Sequence, residues 1–170
     1  MDIHPTSLLH DNSVSMNIYL IVKTVHIISS TMLFGTGVGI AFFMFRSHFT
    51  DNLQEKLYAA KGTVIADYIF TLPAVITQFT TGVWLVWKSG YHWAEFWLTA
   101  TYAIFILAGF CWLPVIWIQV RLRNILLECV ENQTIIPEQY VKLFRLWFLL
   151  GWPAFIGLIV VFFMMVMKPI

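Results

Sequence analysis

The sequence carries little charge: Asp, Glu, Lys and Arg make up 11% of its 170 residues, and the formal net charge is +1. Nucleic acid is thereby excluded as a partner, because phosphate binding needs basic residues gathered on one solvated face. Cysteine is scarce as well. Cys111 and Cys129 form no CxxC or zinc pattern, so neither a disulfide framework nor a structural metal is indicated. P-loop, nucleophile-elbow, Rossmann and HExxH motifs are all missing, which leaves hydrolase, kinase and nicotinamide-enzyme classes without support. The opening stretch MDIHPTSLLHDNSVSMNIYL has no Lys or Arg, and the apolar run behind it is too long for a signal-peptide core. No cleaved signal is expected. With cap residues and no periodicity, this stretch reads as a short exposed lead-in.

Apolar residues fill the space that charge leaves: they make up 59% of the chain, and mean hydropathy is +0.78. Soluble domains of this size do not approach that balance, so lipid is the solvent. Hydrocarbon offers no hydrogen-bond partners, and long unbroken apolar runs satisfy their own backbone as helices rather than as alternating barrel strands. Runs of the ~20 residues needed to cross a bilayer fall at about 19–45, 64–87, 96–119 and 146–167. The expected fold is an all-α polytopic membrane four-helix bundle, a single transmembrane domain over residues 1–170.

Arg46, Lys56 and Lys61 lie between the first two spans, and Arg121, Arg123, Lys142 and Arg145 between the last two, whereas the middle connection has only Lys88. The positive-inside rule makes the two basic loops cytoplasmic and both termini non-cytoplasmic, as in a multi-pass protein of a bacterial inner membrane. Trp84, Trp87, Tyr91, Trp93 and Trp97 cluster at the outer connection, where amphipathic rings favour headgroup depth. The second basic loop, RNILLECVENQTIIPEQYVKLFR, is expected to hold a short interfacial helix, with Pro137 opening the next helical stretch. Pro73, Pro114 and Pro153 share the cytoplasmic third of their helices, where each frees a carbonyl. This is either ordinary kinking or a flexible inner layer.

Ionisable groups inside a span are costly and therefore candidates for function. They are Lys23, His26 and Asp67. Lys23, His26, Ser30, Gly37 and Ala41 fall along one side of the first helix, and Asp67, Thr71, Ala74, Gln78 and Thr81 along one side of the second. The two stripes are expected to meet. Asp67 is expected to be neutralised by an arginine at its depth, Arg46, Arg121 or Arg145, with a proton relay as the alternative. His26 lies level with Gln78, Thr81 and Tyr102, and close in depth to Met164 and Met165. Imidazole with thioether suits copper or haem iron, and Lys23, Lys88 and Lys168 at the outer rim suit carboxylates such as haem propionates. The alternative is a hydrogen bond from His26 to Thr81 or Tyr102. His48 and His92 in loops, with His4 and His10 in the lead-in, read as solvated, a metal site of His4, His10 and His92 being the weaker option. Gly35 and Gly39 form a GxxxG pair, suited to simple packing or to a homo-oligomer or membrane partner subunit.

Four blocks carry a resemblance: YLIVKTVHII, ADYIFTLPAVITQFTTGVWL, QVRLR and QYVKLFRLWFLLGWPAFIGLIVVFFMMVMKP. Through them nearly the whole chain resembles a bacterial family of predicted integral membrane proteins, the domain of unknown function 2269. More distantly, K-x-x-H-I and the terminal Lys-Pro look like membrane-type protoporphyrinogen oxidase and the copper-resistance D-type proteins. That likeness implies a cofactor site at Lys23 and His26, haem b or copper, in a redox or electron-transfer protein. Without it, the residues suit a small transporter, or a non-enzymatic membrane subunit with a polar path through His26, Gln78 and Asp67, or helices that the stripes merely hold together.

Overall fold

From Thr6 to Phe34 the sequence has no Gly or Pro, and Pro5 suits the first turn of a helix, where its missing N–H costs nothing. Accordingly, in the computed structural model, which describes the backbone of residues 5–169 and the side chains of residues 15–169, helix α1 runs Pro5–His48. The expected lead-in is therefore helical from Pro5 onward. His4 and the His10 side chain lie outside the described residues.

A short turn follows, and Asn52 caps the next helix: its Oδ1 accepts from the backbone N–H of Gln54 at 2.9 Å and of Glu55 at 3.4 Å. Helix α2 (Leu53–Ala66), a π-helical turn (Asp67–Thr71) and α3 (Leu72–Ser89) form one continuous rod. The π turn sits immediately before Pro73. Proline has no N–H for the Ile69 carbonyl and its ring crowds that carbonyl, and a widened turn relieves the clash. Gly90, at φ +70°, ends the rod with a left-handed residue that only glycine adopts without strain. Helices α4 (Phe96–Asn132) and α5 (Glu138–Met167) then run through Pro114 and Pro153 unbroken.

The described residues are all-helical or connecting, and four helices are long and apolar enough to span a membrane. The second and third are each 37 residues long, or roughly 55 Å, well beyond a hydrocarbon core of about 30 Å. The excess lies at the end with the basic connections. There Met44, Leu57, Leu122, Leu126, Tyr140 and Phe144 form a buried core outside the most apolar stretches. This corrects one expectation: no separate interfacial helix exists among the described residues, because RNILLECVEN prolongs α4 and EQYVKLFR opens α5. Only residues 133–137 connect them. Within the same layer the buried Lys56 ammonium donates to the His48 carbonyl at 2.6 Å, holding the end of α1 against α2.

Side chains away from this core face outward in large numbers. Phe110 is 70% exposed, Phe163 61% and Val166 83%, a surface that only lipid tails tolerate. Helix α4 packs along α5, α3 along α1, and α2 against α4. Helices α1 and α5 touch over a much shorter length, through Phe34 on Phe155 (5.3 Å) and Phe45 on Phe148 (5.5 Å).

Candidate functional site

Two polar clusters lie within the apolar spans. The first joins α1 to α3. His26 Nδ1 is 2.8 Å from Thr81 Oγ1, and Nε2 is 3.0 Å from Gln78 Nε2. Thr81 donates to the Thr77 carbonyl at 2.5 Å, so its oxygen accepts from His26, and the imidazole carries its proton on Nδ1. The Gln78 amide then donates to Nε2 and accepts from Ser29 at 2.6 Å. Gly82 gives the ring its place, since a Cβ there would stand 3.2 Å from His26 Cε1.

The stripes therefore meet, through Ser29 rather than Ser30, whose hydroxyl bonds back to Ile27 O. Tyr102 takes no part: its hydroxyl is buried without a partner, and its ring stacks on Trp93. Met164 and Met165 pack with Val86, Trp97 and Leu98. Lys168 donates to the Tyr91 hydroxyl at 2.5 Å and lies over the Trp97 ring, while Lys23 is exposed. His92 accepts from Ala94 N at 3.4 Å in the loop. Both ring nitrogens of His26 are committed to neighbours, and among the described residues there is no group of three His, Cys, Asp or Glu that could hold a metal. A haem iron or copper at His26 would have to displace Gln78 from Nε2 or Thr81 from Nδ1.

The second cluster lies deeper, at the π turn. Asp67, Thr71 and Gln119 are 4%, 5% and 2% exposed. Thr71, Trp112 and Gln119 surround the Asp67 carboxyl as its hydrogen-bonding neighbours, although Asp67 Oδ2, Thr71 Oγ1, Trp112 Nε1 and Gln119 Oε1 fall outside close hydrogen-bond geometry. The expected arginine partner is not there. Arg46, Arg121 and Arg145 are exposed, and the ion pair formed among the described residues joins Lys142 to Glu138 at 3.0 Å. Long guanidinium side chains reach outward to water more cheaply than a pair is buried.

Asp67, Thr71, Trp112 and Gln119 line a cavity of about 420 Å³ between α1, the π turn, the start of α3, α4 and α5. Small residues make the room: Gly37 and Ala41 on α1, Ala108 and Gly109 on α4, Gly151 and Ala154 on α5. A Cβ at Gly37, Gly109 or Gly151 would meet nothing within 4 Å. Val38 and Phe42 on one side, Phe148 and Trp152 on the other, line the cavity and are also exposed, so it opens sideways between α1 and α5. Trp112 and Gln119 were not singled out in the sequence, although Phe105, Ala108, Trp112, Val115 and Gln119 step by three and four residues along one face.

No match was found among curated proteins or among solved structures, so the likeness to protoporphyrinogen oxidase and copper-resistance proteins gains nothing from comparison. A family model described as predicted integral membrane protein (DUF2269) matches residues 20–169, and the chain belongs to that family of multi-pass membrane proteins.

Proposed function

We propose that the protein is a non-enzymatic membrane protein that takes a small, mainly apolar molecule from the bilayer into the cavity between α1 and α5, polar end toward Asp67. One observation carries the reading: Asp67, a buried carboxyl within a membrane span, lines an otherwise apolar cavity of about 420 Å³ together with Thr71, Trp112 and Gln119. A carboxyl held inside a membrane span is costly, and an occupant that offers polar groups at that end of the cavity lowers the cost. The volume falls within the roughly 300–1,000 Å³ of small-molecule sites. The distribution of Lys and Arg supports placing the basic end at the cytoplasmic face of a bacterial inner membrane, and the cavity's sideways mouth suits entry from lipid.

Binding of naphthylbutanol to the protein in lipid nanodiscs, followed by energy transfer from Trp112, Trp147 and Trp152, tests this. Saturable transfer is expected. Gly109→Leu and Gly151→Leu, whose side chains would extend into the cavity, should abolish it while the helices stay folded. Transfer that never saturates, or is equal in both variants, would refute the reading. The redox alternative, with His26 as ligand to haem b or copper, needs Thr81 and Gln78 to release the imidazole. It calls for a Soret band or bound copper lost on His26→Ala, whereas the cavity reading expects a colourless protein that loses only stability.

A further inference from the structure

We infer that the molecule taken into the cavity is a lipophilic monocation, such as a protonated or quaternary amine, with Asp67 as its counter-ion and aromatic rings as its cage. The inference rests on the cavity reading and deepens it. Among the described residues that line the cavity, Asp67 is the one ionisable side chain; no Lys, Arg or His borders it. The groups facing its carboxyl, Thr71 on its own turn and Trp112 and Gln119 on α4, are all uncharged. What α1 and α5 contribute to the lining is apolar or aromatic.

The Asp67 carboxyl is 4% exposed and has no cationic partner among the described residues, so a bound cation supplies the counter-charge that those residues do not. The walls suit the same ligand. Phe34 and Phe42 from α1, Phe105 and Trp112 from α4, and Trp147 and Phe155 from α5 line the space, and aromatic faces attract a desolvated ammonium. Gln119, beside the carboxyl and also in the cavity lining, adds an uncharged polar side chain at the same end. An anionic lipid or fatty acid would instead meet the Asp67 carboxyl with no cation to offset it. A neutral alcohol satisfies the hydrogen-bonding groups and gains nothing from the charge.

The test uses matched probes: phenylbutyltrimethylammonium and its neutral isostere, in which carbon replaces the nitrogen. Each competes with naphthylbutanol for the protein in nanodiscs, with concentrations expressed in the lipid phase. The cation should displace the fluorophore at about tenfold lower concentration than the isostere. Asp67→Asn should erase that ratio and still bind naphthylbutanol. Equal competition in the native protein overturns the cation inference and leaves the cavity reading standing. A ratio that survives Asp67→Asn overturns the role given to Asp67. If naphthylbutanol itself fails to bind the native protein saturably, both readings fall. Should Asp67→Asn not fold, Asp67→Glu, which keeps the charge, must retain the preference, and its loss there counts against the inference.

Discussion

His26 illustrates what an intramembrane imidazole does when every polar atom finds a partner. Its Nδ1–H reaches Thr81 and its Nε2 receives Gln78, which Ser29 holds in turn. Thr81→Val removes the acceptor and strands the Nδ1–H, with an expected loss of about 1 kcal/mol in line with interhelical hydrogen bonds in membranes. Thr81→Ser should restore most of it, as thermal unfolding in detergent can check. Steric room gives a second prediction. A Cβ at Gly157 would lie 2.9 Å from Ile104 Cγ2, whereas at Gly35 and Gly39 it meets nothing. Gly157→Ala should destabilise by about 1–3 kcal/mol, and Gly35→Ala should be neutral or slightly stabilising, as helix propensity dictates. The second-helix stripe was legible because its residues step by four and three. Ser29 was hidden beside Ser30, and the arginine partners were misjudged because sequence shows depth but not the direction of a long side chain.

At the scale of elements, the spans were legible and their lengths were not. Hydropathy reports where a helix lies in lipid, so Gln54, Glu55, Lys56 and Lys61 hid the first turns of α2, and Arg121, Arg123 and Asn124 hid the last third of α4. Beyond the bilayer those segments stay helical because Leu57, Ala60, Leu122 and Leu126 pack on Tyr140 and Phe144. Pro73 was visible as a break, but nothing in the sequence said that it would be accommodated by a π turn. A π turn is equivalent to one inserted residue. Deleting the exposed Ile69 should close it to a regular α-turn while α2 and α3 keep their rotational relation, so that Leu57, Ala60 and Val64 stay on α4. The expected cost is the return of the Pro73 clash, a loss of about 3 kcal/mol; a deletion variant of native stability would show that the π turn does not relieve it.

Across the whole molecule, the basic end is tightly cored and the membrane-embedded middle is loosely closed between α1 and α5. Helices of this length, joined at one end by a packed layer, hold the cavity walls in place while leaving the side seam to a few aromatic contacts. The cavity itself was not legible in the sequence, because it arises where three stripes of small residues on separate helices face one another, and pairing of helices is not written in any one of them. Orientation was read from charge alone. Cysteine placed at Gln54 should be labelled only from the cytoplasmic side. The central claim is lateral entry of a small molecule to the Asp67 cavity, and photolabelling in liposomes with a diazirine-bearing phenylbutanol, mapped by peptide mass spectrometry, addresses it most directly. The expected result is saturable labelling confined to residues 105–119 of α4 and 147–158 of α5, suppressed by excess unlabelled alcohol. Labels spread over the outward faces, such as Phe110, Phe163 and Val166, and insensitive to competitor, would contradict it.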